Sequence, residues 1–544
     1  MESTVQDKRK PWLLLSLLVI LAIAAGIYMA YCTDYAPWGF SDSAAYFSAA
    51  RNLASGHSLR VSTVNGGYTP LNLHAPLYSL VLAVFVKFNA NLVTASKAMD
   101  ILSWGLFIFL CGWLFYRITG RQMEAFFFAL VCSFSYPLAV SFSGLMSEPL
   151  ALVLGIPGFM LLVLAVKEDS TRWMIVSAVC IGLSVLTRFA FAAVLGAGVL
   201  VLLIFSSQPW RKRWVSMLIF GLVGSAPMVF WTVLQKLQQA STGGRSLVFA
   251  DLFSKVRHFA AAVWGTLKYW MPYRSNMIPG VSAKYFTPLL AALLLLLIVV
   301  GILAAVQKLK RDVWKEPVFL LAGSSLLFIL SYIAVAFAGY AFSTAPNDIN
   351  DRILSPVFPA IIALLLCSTI LVGMLVRRRG WTHLLALAVT LFFVVFNFEL
   401  LRTYGILSSK YPNGYTSPYW NGSPIFEAIQ KLPPDTALAS NAPDITLFYT
   451  NRMPYCLTEN PTQRGECISS ADRPQLQDFV ERQCGVLVLF PSSPTENYEN
   501  YADPISQVSM DGLNKLYPAA YRSSPGVILY WPECSGVKQA LAGE

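Results

Sequence analysis

Apolar runs of membrane length recur through the first four hundred residues. The chain is apolar from Leu13 to about Ala30, just after Lys8, Arg9 and Lys10. Further runs fall at about 98–116, 123–141, 148–166, 173–187, 188–206, 214–234, 288–307, 317–340, 356–376 and 381–401. Each is long enough to span a bilayer as a helix, or nearly so, with 173–187 the shortest. Residues 75–97 differ: two short apolar pieces flank Lys87 and two asparagines. A crossing hairpin needs about 40 residues, so this stretch predicts short or re-entrant helices buried in protein. The pattern predicts 11 crossings, or 12 to 13 if a boundary such as that near Pro137 hides another.

Basic clusters set the orientation. They fall at Arg117 and Arg121, Lys167 and Arg172, Arg211 to Arg213, Lys308 to Arg311, and Arg377 to Arg379. Placing all of them in the cytoplasm gives a consistent alternation. The links 32–74 and 235–287 then lie outside, as does everything beyond about 402. The first run reads as a retained crossing, because no small-residue cleavage site follows it.

The pattern changes again over 421–544. Turn signals (LPPD, PSSP, SSPG) separate short β-prone runs, TALAS, GVLVLF and GVILYW, with APDITLFYT between them as a helix candidate. This predicts an extracytoplasmic α/β domain large enough for its own core, following a transmembrane domain over 1–402. Four of the nine cysteines lie here, Cys456, Cys467, Cys484 and Cys534. They lack the paired spacing of a zinc site, so disulfides are the favoured reading in an outer domain. Cys456 and Cys467 are the closest pair in sequence.

Composition sharpens the class. Hydrophobic residues make up 56% of the chain and charged residues 13%, which excludes a soluble globular enzyme, a disordered chain and a fibrous one. The net charge of +11 suggests nucleic acid at first sight. The basic residues, however, sit beside apolar runs as cytoplasmic anchors do, so no nucleic-acid partner is expected. The 35 Phe, 24 Tyr and 14 Trp suit membrane interfaces.

Candidate chemistry gathers on the outer side. Loop 32–74 is the most polar, and Asp42 stands in F-S-D-S-A-A-Y. Asp42 or Ser41 reads as the N-cap of an interfacial helix running through Ala50, and equally as a carboxylate at the membrane surface able to accept a proton. Asp34, Arg51, His57 and His74 are further ionisable candidates, His57 mainly as a turn residue. Glu148, in S-E-P, suits a helix start. Arg188 lies between two apolar runs, where a charge is usually paired or functional. Arg352 opposes both the positive-inside trend and the helix dipole, so it needs Asp348, Asp351 or a bound phosphate as partner. Arg245 in S-T-G-G-R, with Lys268, Tyr269 and Arg274, are weaker ligand candidates. No Walker loop, G-x-G-x-x-G unit or H-E-x-x-H motif is present, which disfavours a primary pump. Paired inverted-repeat interruptions do not stand out, which weakens the transporter case. An outer-face enzyme would need a donor delivered within the bilayer.

Together these residues resemble the GT-C superfamily of integral membrane glycosyltransferases. The resemblance is greatest to the bacterial branch of the lipid A aminoarabinose transferase, the protein O-mannosyltransferases and the Rgt-type core sugar transferases. It is carried by Asp42 with Tyr46, H-A-P-L-Y at 74–78, S-E-P at 147–149, G-L-S-V-L-T-R at 182–188 and D-R-I-L-S-P-V-F-P at 351–359. S-N-A-P-D at 440–444, with Arg452, is similar to the soluble domain of some members. The resemblance implies a bacterial inner-membrane enzyme that transfers sugar from a polyprenyl-phosphate donor to a lipid, glycan or protein of the envelope, with inversion. It implies Asp42 as general base and Glu148 as a second acid. Arg188, Arg245 and Arg352 become phosphate ligands, and Tyr46, His74, Tyr78, Lys268 and Tyr269 sugar or acceptor contacts. A divalent cation, Mg or Mn, at Asp42 and Glu148 is a further implication. Ala75 departs from the family's His-Pro-Pro, and Asp42 lacks a paired acid, which weakens the case for the metal. The alternatives are a lipid or solute transporter or flippase, and a non-enzymatic assembly or export protein.

Overall fold

The computed structural model describes residues 11–237, 252–271, 282–309, 313, 316–342, 349–376, 379–459, 467–491 and 507–542. The chain divides into two compact units. One comprises residues up to Tyr31, Met99–Ser143 and Ser147–Ile406; the other comprises Cys32–Ala98, Gly144–Met146 and Leu407–Glu544. The division differs from the 1–402 and 421–544 expected from the sequence, because loop 32–98 folds with the tail.

The first unit is helical. Among the described residues eight helices are long and apolar enough to cross a membrane: Trp12–Cys32, Leu92–Thr119, Glu148–Glu168, Trp210–Leu237, Lys284–Gln307, Pro317–Ala341, Val357–Met374 and Gly380–Lys410. The chain is a polytopic membrane protein. The predicted run 123–141 is a broken element, Gln122–Ser133 and Tyr136–Phe142, bent by 61°. Ser135 starts the second piece by accepting a hydrogen bond from Leu138 N, and Pro137 fits there because the first helical turn needs no N–H. The runs 173–187 and 188–206 become helices of 17 and 14 residues, Thr171–Thr187 and Ala192–Phe205. The link 235–287 is not merely a loop: Leu252–Trp270 is a helix, whose apolar residues recur every third or fourth position.

Outward faces of these helices are apolar. Ile20, Ile23 and Ile27 are all more than half exposed, which suits lipid rather than water. Inward faces use small residues for close approach. A Cβ on Gly182 would lie 2.6 Å from the carbonyl oxygen of Gly224, so the helices Thr171–Thr187 and Trp210–Leu237 touch backbone to backbone.

The second unit is α/β. A helix, Ser41–Ala54, packs beside a hairpin of β1 (Arg60–Ser62) and β2 (Tyr68–Pro70). The tail holds β3 (Leu438–Ser440), β4 (Tyr455–Thr458), β5 (Cys467–Ser469), β6 (Val486–Leu489), β7 (Ala519–Ser523) and β8 (Gly526–Tyr530). They form one sheet in the order β5-β4-β3-β6-β8-β7. The first four run parallel, and β8 and β7 continue it antiparallel. Every residue of β6 is buried, as the apolar run VLVL requires of a central strand. The predicted helix is Pro443–Thr450.

Polar staples hold this unit. The side-chain amide of Asn52 donates to Arg60 O at 2.8 Å, and its oxygen accepts from Asn451 at 2.9 Å. Arg51 Nη1 donates to Phe448 O at 2.7 Å. These contacts explain why loop 32–98 belongs with the tail. Arg452 donates to carbonyls of Ile429, Leu432, Pro433 and Thr436, which satisfies a turn that has no ladder partners. A disulfide joins Cys484 to Cys534, 50 residues apart, rather than the sequence-nearest cysteines. Cys456 and Cys467 instead face each other across β4 and β5. The disulfide fits an extracytoplasmic domain.

Candidate active site

Glu148 is the first residue of the helix Glu148–Glu168, with Ser147 before it and Pro149 in its first turn. Its side chain is 3% exposed. A carboxylate in so dry a place costs several kcal/mol unless paired, and two arginines pair it. Arg188 reaches it from the break after Thr171–Thr187, where its own backbone is extended. Arg352 reaches the same oxygen through Nε at 2.7 Å. It stands second in the short helix Asp351–Leu354, which Asn350 caps by accepting from Ile353 N. The hydroxyl of Tyr332 donates to Ile353 O at 2.9 Å and ties that turn to the helix Pro317–Ala341.

This arrangement adds a partner that the sequence did not suggest. Arg352 pairs with Glu148; Asp348 lies outside the described residues. Successive helical residues point about 100° apart, so the adjacent charges Asp351 and Arg352 serve different neighbours. The ion-paired set of two arginines and one carboxylate carries a net charge of +1. Arg188 and Arg352 side chains are 14% and 22% exposed, against 3% for Glu148. The anion is sealed, while the cations reach toward an accessible side. Such a centre suits a phosphate group.

Asp42 lies in the first turn of Ser41–Ala54 and is half-buried. The helix begins one residue earlier than a cap at Ser41 or Asp42 requires, with Phe40 as the N-cap residue, whose N–H donates to Ser43 Oγ. Tyr46, one turn on, shares the face of Asp42. It meets His74 at 5.1 Å and Tyr78 edge-on at 5.1 Å, and Tyr78 donates to Ser96. Three residues singled out for sugar or acceptor contact are thus brought together in the second unit.

Other candidates separate. Arg51 is committed to Phe448 O, and burial lowers its pKa to about 10, so it stays charged at neutral pH. His57 stacks on Tyr68 at 4.6 Å beside a turn. Lys97 donates to the backbone of Asp34. Lys268 is exposed in the last turn of Leu252–Trp270, and Tyr269 joins Tyr136 edge-on at 5.7 Å. Arg245 and Arg274 lie outside the described residues. Two buried acids escaped the sequence reading. Asp100, 1% exposed, lies close enough to Glu148 to feel its charge; Glu124 pairs with His383 at 3.0 Å. An acid inside an apolar run was the available signal for both.

Two guanidiniums share Glu148 Oε1, and their charge would oppose a cation at that oxygen. Among the described residues no group of three or more His, Cys, Asp or Glu gathers as a metal site.

No family model matches the chain, and no curated protein matches it. Solved structures do. ArnT from Cupriavidus metallidurans in the apo state is similar over 94% of this chain and 97% of its own, at 14% identity and a TM-score of 0.54. The apo oligosaccharyltransferase of Archaeoglobus fulgidus is similar over 89% of this chain and 70% of its own, at 14% identity and a TM-score of 0.50. The same archaeon's AglB, in complex with an inhibitory peptide and a dolichol-phosphate, is similar over 88% and 70%, at 13% identity and a TM-score of 0.50. The chain shares the overall fold of these proteins. At these identities the likeness extends to the fold alone.

Proposed function

We propose that this protein transfers a sugar from a polyprenyl-phosphate-linked donor to a cell-envelope lipid, glycan or protein, at the outer face of a bacterial cytoplasmic membrane. The observation that carries the reading is the pairing of Arg188 and Arg352 on buried Glu148, in a fold shared with a protein that holds a dolichol-phosphate. The arginines bind the donor phosphate, and Glu148 holds their guanidiniums in place. Fixed cations of this kind stabilise the charge that develops on the departing group.

Asp42 is the general base. It takes the proton of the acceptor hydroxyl as the acceptor oxygen bonds to the anomeric carbon. The bond from that carbon to the phosphate oxygen breaks, and its electron pair leaves on the polyprenyl phosphate. Attack opposite the leaving group inverts the configuration. A carboxylate is a weak base towards a hydroxyl; Asp42 works late, once the forming bond has acidified the hydroxyl.

Mass spectrometry of envelope lipids, glycans and glycoproteins from a deletion strain tests the reading. Loss of one sugar from one acceptor, restored by the parent gene but not by an Arg188→Ala, Arg352→Ala version, is expected. An unchanged glycan inventory, with lipid or solute movement in proteoliposomes, would establish the transporter alternative.

A further inference from the structure

The helix Leu252–Trp270 presents three different faces. One is packed on the bundle. Phe259 meets Phe337 at 5.1 Å and Tyr340 at 5.8 Å, Lys255 Nζ donates to Ala341 O at 2.6 Å, and Trp270 stands edge-on to Phe358 at 5.7 Å. The second face is apolar and open. Phe253 is 87% exposed, Val256 45% and Trp264 46%, and Ala260 is exposed between them. At about 100° per residue these four fall in one stripe about 80° wide, and Arg257 and Lys268 line its edge as the third face. Both cations are exposed, and neither has an ion-pair partner among the described residues. The helix contains no Asp or Glu. The short helix packed at its end, Asp351–Leu354, brings a single acid, Asp351.

The two ends of the helix fix how it lies. Ala341 is the last residue of the span Pro317–Ala341, and Phe358 is the second of Val357–Met374. Both are outer ends, because the basic cluster Lys308 to Arg311 precedes the first span and Arg377 to Arg379 follow the second. A helix held near both ends at the outer rim of the bundle runs along the membrane surface. Crossing would also take Lys255, Arg257 and Lys268 into hydrocarbon, where charges are costly.

We propose that Leu252–Trp270 is a docking surface for anionic phospholipid of the outer leaflet. Phe253, Val256 and Trp264 enter the acyl region, and Arg257 and Lys268 hold headgroup phosphates. An apolar stripe beside a row of cations is the complement of such a lipid surface. Basic residues on the outer side oppose the positive-inside trend, and here the leaflet supplies their counter-charge. The surface is independent of sugar transfer.

The test uses the full-length protein in nanodiscs that carry a trace of phosphatidylglycerol or of phosphatidylcholine, each with a photoreactive group beside its phosphate. Labelled peptides are mapped by mass spectrometry. Label on 252–270 should be about tenfold greater from the phosphatidylglycerol probe. Arg257→Gln with Lys268→Gln should bring the two probes level, whereas Arg257→Lys with Lys268→Arg keeps the charge and should keep the preference. Both positions are exposed, so Tm should stay parental in each pair of variants. Phe253→Ser with Trp264→Ser should lower the label from both probes. No label on this segment from either probe, as when another protein covers it, overturns the surface. Equal labelling of the parent by both probes, or a preference that survives Arg257→Gln with Lys268→Gln, overturns it as well.

Discussion

Replacing Glu148 with glutamine separates a holding role from direct acid catalysis. Gln keeps the size of the side chain but removes the charge that two guanidiniums share. Breaking a buried ion pair by neutralising one partner costs about 3–5 kcal/mol. Glu148 is only 2% exposed and Arg352 approaches within 2.7 Å, so that range applies. The surplus charge of the paired set rises from +1 to +2, so a phosphate should bind the variant more tightly relative to its weakened apo state. A ligand at 100 times its Kd stabilises by about 2.7 kcal/mol, enough to recover much of the loss. The assay is thermal unfolding in detergent, with and without undecaprenyl phosphate. The expected result is a lower Tm for Glu148→Gln alone and a larger upward shift on adding the lipid than the parent shows. A variant as stable as the parent would refute the holding role, and one protected less by the lipid would refute the charge argument. Near-parental stability with collapsed turnover would instead make Glu148 a reacting acid.

Three further outcomes are expected. Asp42→Asn should lower sugar transfer by about 10²-fold or more in a purified assay while Tm and phosphate-lipid binding stay near parental; parental turnover would show that Asp42 is not the base. Burial raises the Asp351 pKa from 3.8 to about 6. The native state therefore holds this proton more tightly than the unfolded chain. Its contribution to stability is present below 3.8 and lost as pH rises through about 6. Asp351→Asn should raise Tm relative to the parent at about pH 7.5, with the gain fading by about pH 4; a pH-independent difference would contradict the burial argument. Opening the Cys484–Cys534 bond releases a loop of 50 residues, which by chain entropy is about 4 kcal/mol. Protease resistance of the tail should fall in Cys484→Ser, and the oxidised parent should yield a Cys484–Cys534 linked peptide.

The sequence alone determined the class. Apolar runs and few charges admit only a membrane protein, because no soluble core can hide so much apolar surface. Period and turn chemistry placed most helices and the strands TALAS, GVLVLF and GVILYW to within a few residues, since those signals are local. The same locality marked Asp42, Glu148, Arg188 and Arg352 as polar residues out of place. Partnership was not legible. Arg352 sits next to Asp351 in the chain but pairs with Glu148, about two hundred residues away, because a helical turn sends neighbouring side chains in different directions. The Cys484–Cys534 bond likewise depends on which chain ends the sheet order brings together, not on spacing. Loop 32–98 folds with the tail through Arg51 and Asn52, contacts of long sequence separation that no periodicity encodes. The cluster of Tyr136, Tyr269 and Tyr404 comes from three separate helical elements, so only their packing could reveal it.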